Sequence, residues 1–403
     1  MKQDLDTPND WKEASLGKLT SLLTNGFVGT ATSHYTEEAN GITYIQGFNV
    51  TENSFNLTNI RKVTPEFHKK NSKSCLQQDD LLTIQTGDIG LTTIVPKELE
   101  GSNCHALVIS RFNRDTCHPK FYAQYFNSPL CQRVFRRIET GSSMKHLNVG
   151  DMKKLHFPIP PLPEQKAIAD LLSTWDEAIE KTERLIQAKE ASLKGQIQKL
   201  ISQRCDSWPH IKPKKIFDTI TEKNFPEEEL LSVTQDRGVI PRSMLEGRVM
   251  SPDGTTASYK LIKRGDFAIS LRSFQGGIEY SNYQGIISPA YTVLRPKVEL
   301  NSDFYRLFFK SYIFIEKYLN LAVIGIRDGK QISIPDFLSI KIPVPPLEEQ
   351  KEIAETLSVC QHEIDLLKQL ADKYKTQKRG LMQKMLTGEW RVKPEIVNQY
   401  TEA

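Results

Sequence analysis

The chain has 403 residues, too many for one ordinary core, so two to three domains of roughly 100–200 residues each are expected. Charged residues make up 25% and hydrophobic residues 38%, which excludes wholesale disorder, and no run of 18 apolar residues is present to span a membrane. The formal net charge of +4 permits an anionic partner without demanding one, so any basic face must come from local clustering.

The amino terminus, MKQDLDTPNDW, is polar and acidic and lacks the apolar core of a signal peptide. Short strand-like runs follow at 42–45, 81–85 and 107–109, each bounded by Gly, Asn or Asp. Polar and basic residues flank them: Arg61, Lys62, Lys69, Lys70 and Lys73 before the second run, Gln85 and Thr86 at its end. Cys104-His105 and Cys117-His118 fit none of the usual zinc spacings, so no metal is expected. The six cysteines, Cys75, Cys104, Cys117, Cys131, Cys205 and Cys360, are scattered without a CxxC. That pattern suggests reduced thiols in a cytoplasm. The run FYAQYFNSPLCQRVFRRI from Phe121 predicts a helix whose rings form core rather than a base-stacking platform. A polar, glycine-flexed loop follows, with Ser142, Ser143, Lys145 and His146.

At 158 the chain becomes extended, because proline fixes φ and restricts its predecessor. A helix is expected to begin near Pro163, where Glu164 favours the positive end of the dipole. About 40 residues then pass without a proline, roughly 60 Å of helix. The apolar steps alternate four and three: Ile168, Leu172, Trp175, Ile179, then Ile186, Leu193 and Leu200. Thr182, Lys189 and Gln196 interrupt this seam.

The second half has strand-like runs at 230–233, 267–271 and 291–294 and an aromatic stretch, FYRLFFKSYIFIEKYL, from Phe304. Its candidate polar residues are Arg237, Arg242, Arg248, Arg272, Ser273, Gln275, Arg327, Lys330 and Gln331. A second proline-rich run at 343 leads into a helix from Glu348, with Ile353, Leu357, Cys360, Ile364, Leu367, Ala371, Tyr374, Leu381 and Met385 on its seam.

The two halves repeat. PIPPLPEQKAIADLLS at 158–173 and PVPPLEEQKEIAETLS at 343–358 share eleven of sixteen residues at an offset of 185. Chance would give about one match, so a whole unit has been duplicated. Gly195 and Gly380 occupy one repeat position inside the helices, which suggests close approach of two backbones or a bend there, with simple inheritance of the repeat as the alternative. A helix of roughly 60 Å outreaches a domain of this size. The two helices are therefore expected to pair with each other, antiparallel, rather than merely to pack on their own domains.

The duplicated P-x-PPL-x-EQ-K-x-IA motif, the carboxy-terminal QKRGLMQKMLTGEW, GDIG at 87–90 and GIISPAYTVLRP at 285–296 resemble the specificity subunits of type I restriction-modification systems. The resemblance implies an α+β chain of two globular target recognition domains, at 1–155 and 205–340. Spacer helices at 156–204 and 341–403 would separate them as an antiparallel coiled coil, with pseudo-twofold internal symmetry. It also implies that each domain reads half of a split double-stranded DNA site. The chain would dock two modification subunits, which methylate adenine, and optionally a translocating restriction subunit. S-adenosylmethionine and ATP are then expected on partner subunits and not on this chain.

The residues agree with a reader rather than an enzyme. GxGxxG, GxxxxGK[ST] and an Asn/Asp-Pro-Pro-aromatic motif are absent from the sequence. DNA reading needs Lys and Arg for phosphates and Arg, Lys, Asn, Gln, Ser and Thr for base edges. The loops at 141–146 and 325–331 precede the shared motif in both copies and are the best clamp candidates. A loose lysine elsewhere is first a solvated charge. A stand-alone restriction enzyme would need modules for which the chain is too short. A pure coiled-coil scaffold would explain the helices but not the two divergent basic-loop domains.

Overall fold

In the computed structural model the described residues are 8–141, 145–245, 256–271, 276–325 and 331–401. The chain divides into two units, residues 1–183 with 369–403 and residues 184–368. Each unit takes part of both long helices, Leu162–Ile197 and Leu347–Met385. Among the described residues no helix is long and apolar enough to cross a membrane.

The first unit is built on an antiparallel sheet of strands Thr20–Asn25, Leu107–Phe112, Leu81–Ile84 and Thr92–Ile94, in that order. Every residue of Leu81–Ile84 is buried, because the sheet is covered on both faces. Successive side chains alternate between them. Leu81 and Val108 join Phe121, Tyr122 and Phe126, while Leu82, Ile84, Leu107 and Ile109 join Ile45, Leu76 and Val95. A smaller sheet, Arg61–Val63, Ile42–Ile45 and Asn103–Cys104, is cored by Tyr44, Val63 and Phe67. The aromatic run is core, as expected, with Phe121, Tyr125 and Phe126 fully buried.

The second unit repeats the sheet order with Phe217–Ile220, Tyr291–Pro296, Phe267–Ser270 and Glu279–Tyr280. Ala268 and Val293 pack with Leu231, Ile262 and Ile287. Phe267 turns the other way, to Phe217 and Phe309 at centroid distances of 5.9 and 5.2 Å. Both sheets carry the same brace. Arg111 Nε and Nη2 donate to the fully buried Asp80 at 2.8 and 2.7 Å. Arg295 Nε and Nη2 donate to Asp266 at 3.0 and 2.8 Å. The paired carboxylates hold both guanidinium groups above their ordinary range.

The aromatic helices are not continuous. The first breaks into Pro119–Asn127 and Pro129–Ile138, because Ser128 accepts the Cys131 N–H and Pro129 supplies a fresh first turn. The second ends at Phe308 and resumes as a wide turn at Phe314–Tyr318, with Ser311 accepting the Phe314 N–H.

The long helices start one residue earlier than the sequence suggests, at Leu162 and Leu347. Their Glu-Gln pair does more than favour a dipole. Glu164, 2% exposed, accepts from Trp11 Nε1 at 3.1 Å and from Arg391 Nε and Nη2 at 2.6 and 2.7 Å. Glu349 accepts from Trp208 Nε1 and Arg204 Nη1, both at 3.1 Å. Gln165 accepts the His118 N–H and donates to Pro160 O, and Gln350 likewise joins the Asn301 N–H to Pro345 O. The glutamines thus tie the proline-rich segment to the start of the aromatic helix.

Helix pairing holds in each unit taken by itself, and both pairs are antiparallel. In the first, Ile168 and Leu172 share a cluster with Met382, Met385 and Leu386 as well as with the aromatic core. Trp175 meets Tyr374 edge-on at 5.7 Å, Glu183 pairs with Lys375 at 2.6 Å, and half-buried Ile179 continues the seam. In the second, Lys189 pairs with Glu363 at 2.7 Å, Glu190 with Lys368 at 2.6 Å, and the Cys360 thiol donates to Gln196 at 3.3 Å. Lys189 and Gln196, read as interruptions, therefore serve the pairing. Ile353, Leu357 and Ile364 are buried and Leu367 half-buried.

Of the readings of the repeated glycines, close approach is the one corrected. A Cβ at Gly195 or at Gly380 would meet no atom within 4 Å, so neither marks a close approach inside the chain. Gly90 and Gly277 do. Both have positive φ, and a Cβ would reach the Phe135 side chain at 2.7 Å or collide with the Phe309 carbonyl oxygen.

Candidate nucleic-acid interface

In each unit a hairpin hangs from the end of the central strand. After Leu81–Ile84, the Gln85 carbonyl accepts the Leu147 N–H at 3.0 Å, and after Phe267–Ser270 the Leu271 carbonyl accepts the Ile332 N–H at 2.8 Å. Thr140 and His146 exchange backbone hydrogen bonds at 3.1 and 2.9 Å, closing the first hairpin. Ile324 pairs with Gln331 in the second. Each hairpin runs straight into a capped helical turn. Asn148 accepts the Gly150 N–H before Val149–Met152, and Ser333 accepts the Asp336 N–H before Ile334–Ser339. In both units the described flanks of this segment are thus tied to the strand end before it and to a capped turn after it, a rigid setting of the kind on which recognition loops are carried.

Lys145 lies on this hairpin, 68% exposed and 3.3 Å from Glu139. Glu139 keeps only 9% of its side chain exposed, so the lysine is the end of the pair that faces solvent. His146 Nε2 lies 3.3 Å from Thr140 Oγ1, and Gln331 is exposed. Thr86 is exposed at the strand end, but Gln85 is only 8% exposed and its Nε2 donates to Leu147 O at 2.9 Å. Gln85 therefore positions the hairpin, which corrects its reading as a base contact.

The other residues of the first unit form a separate group around the small sheet. Arg61 and Lys62 lie on the edge strand Arg61–Val63, with the Arg61 guanidinium 5.8 Å from the Tyr35 ring centre. Lys69 and Lys70 are exposed in the last turn of Pro65–Lys70, and Lys73 is exposed just beyond. Phe67 anchors that helix against Tyr44, opposite the strand carrying Arg61. In the second unit Arg237 sits on the turn between Leu231–Thr234 and Gly238–Pro241 and donates to Met244 O at 3.1 Å. Arg242 is half-buried in the turn Arg242–Met244. Ser142, Ser143, Arg248, Arg272, Ser273, Gln275, Arg327 and Lys330 lie outside the described residues.

Arg136 and Arg137 were not singled out from the sequence. Both are exposed in the last turn of Pro129–Ile138, directly before the first hairpin. Their signal was available: Cys131 and Phe135 take the buried face of that helix, which leaves Arg133, Arg136 and Arg137 to solvent.

The cysteine–histidine pairs behave as packing. Burial pushes the Cys104 and Cys117 thiols up and holds the His105 and His118 imidazoles down. No group of three potential metal ligands occurs among the described residues.

Residues 8–190 and 251–375 match the family model described as the type I restriction modification DNA specificity domain. The putative type I restriction enzyme MjaX specificity subunit of Methanocaldococcus jannaschii is 25% identical, over 96% of this chain and 95% of its own length. The MjaVIII specificity subunit of the same organism is 26% identical over 67% of this chain and 70% of its own. The crystal structure of a type I restriction-modification S subunit from M. genitalium superposes with a TM-score of 0.57 at 17% identity. It covers 96% of this chain and 98% of that one, a likeness of fold.

Proposed function

Since the chain belongs to the type I restriction-modification DNA specificity family, we propose that each of its two units reads one half of a split DNA target. The chain is a DNA specificity subunit. The observation that carries the two-reader form is the duplicated hairpin, hung on the same strand end of the same sheet in both units. On this reading Lys145, Arg136, Arg137, Gln331 and the residues around them meet phosphates and base edges. The cluster of Arg61, Lys62, Lys69, Lys70 and Lys73 adds a second anionic contact.

The paired helices set the gap between half-sites and carry the docking faces for two modification subunits. S-adenosylmethionine and the transfer of the methyl group to adenine belong to those subunits, ATP to a restriction subunit where one is present. The experiment is a binding titration of the purified chain on a target duplex at several salt concentrations, paired with methyl transfer measured with and without modification subunit. If about six phosphates are contacted, log K falls against log salt with a slope near −5. Lys145→Ala lowers affinity and flattens that slope by about one. Methyl transfer by the chain alone, or binding indifferent to salt, would overturn the proposal.

A further inference from the structure

The helix pair carries a buried ion pair that the repeat does not require. Lys378, on the second long helix, is 4% exposed. It reaches Asp176 of the first long helix at 2.5 Å and Glu52 of a sheet-side loop at 3.1 Å. Gln124 Nε2 and Asn53 Nδ2 donate to the same Asp176 carboxylate at 2.6 and 3.3 Å. Asn127 Nδ2 donates to Asn53 Oδ1 and to Thr92 O, both at 2.8 Å, which carries the network into the sheet. One cation thus joins both helices and the DNA-reading part of the first unit, beside a cavity of about 520 Å³.

At the offset of 185, Lys378 corresponds to Leu193 and Asp176 to Gln361. Leu193 is 8% exposed, so an apolar side chain fills that place in the second unit. Packing alone therefore does not call for a lysine. Burying an ammonium group costs several kcal/mol unless its partners are in place, and fixing a register is the best-attested use of such a pair. A slip of one heptad, about 10 Å, would keep the apolar seam and bring Ala371 or Met385 opposite Asp176, and neither can pair with it.

We infer that Lys378 is a positioning residue for DNA readout, holding the reader of the first unit to the helix pair in one register. At the equivalent place the second unit carries the apolar Leu193 instead. This rests on the reading that each unit reads one half-site. The test uses the full complex with modification subunits and maps methylated adenines in cells. A chimaera with residues 1–155 replaced by a relative's domain first identifies the half-site belonging to the first unit. A chimaera that alters both half-sites or neither defeats the two-reader reading, whatever Lys378 does.

With that assignment, the neutral pair Asp176→Asn with Lys378→Met is compared with Lys378→Arg. A mismatched base pair normally costs roughly 5- to 150-fold. The neutral pair is expected to lower discrimination in the first half-site by about fivefold or more and leave the second unchanged. Lys378→Arg is expected to retain it. If the neutral pair does not accumulate, Glu52→Gln with Asn53→Ala loosens the same clamp from its exposed side and is expected to act in the same direction. Unchanged discrimination in an assembled complex, or parallel loss in both half-sites, would overturn the inference.

Discussion

Substituting Glu164 and Glu349 separately isolates what burial adds to one motif met twice. Glu164 is 2% exposed and accepts three hydrogen bonds, two of them from the Arg391 guanidinium. Removing one partner of a buried pair costs about 3–5 kcal/mol. Arg391 is 39% exposed, so water takes over part of its loss and about 3 kcal/mol applies to Glu164→Gln. For a unit of this size 1 kcal/mol shifts the midpoint by about 2–4 °C, so its melting falls by roughly 6–12 °C. Glu349 keeps 28% of its side chain exposed and holds Arg204, 47% exposed, through one contact of 3.1 Å. Glu349→Gln should therefore cost about 1 kcal/mol, or roughly 2–4 °C. Scanning calorimetry with circular dichroism measures both. Equal losses, or a larger loss for Glu349→Gln, would refute the argument from burial.

Gly195→Ala and Gly380→Ala meet open space and should each stabilise the isolated chain by about 0.5–1 kcal/mol, read as a raised denaturant midpoint. A fall in stability would show that the helix backbone there is not ordinary. Burial holds His105 and His118 below the ordinary value of 6.5, so the folded state resists their protonation. Their stabilisation is full above pH 6.5 and is lost as pH falls through their lowered values, so the first unit should weaken in mild acid. The double variant His105→Gln, His118→Gln should flatten the melting temperature between pH 7.5 and 5.5, and an unchanged slope contradicts this. Inserting four residues after Lys189, about one turn, should preserve both half-sites and widen their gap by a base pair or two, as read from the methylated motif. An active complex with an unchanged gap would leave the helices a docking role alone.

Much of the molecule was legible in its sequence because the duplication marks what both units need. The proline-rich runs, the helix starts and the alternating seam all follow from local chemistry. The partners of Glu164 and Gln165 were not legible in that way. Trp11 lies 153 residues before Glu164 and Arg391 lies 227 after it, and only folding brings them together. Trp208 and Arg204 meet Glu349 with the same chemistry, but Arg204 precedes its glutamate where Arg391 follows, so the repeat did not reveal the pairing. For Gly195 and Gly380 the sequence could not choose among its alternatives, because repetition signals inheritance as readily as packing, and only the structure removes close approach. Gln85 misled because a polar residue at a strand end serves the backbone as well as a ligand. Of the residues proposed to meet DNA, the loops at 141–146 and 325–331 stand out in the sequence by position, whereas Arg136 and Arg137 emerge only once their helix shows which face is buried.

The most direct measurement is the genome-wide map of methylated adenine in cells with this chain, without it, and with residues 1–155 exchanged for a relative's domain. The expected result is a bipartite motif that vanishes without the chain and changes in one half only on exchange. A motif that persists without the chain, or two halves that change together, would contradict the account.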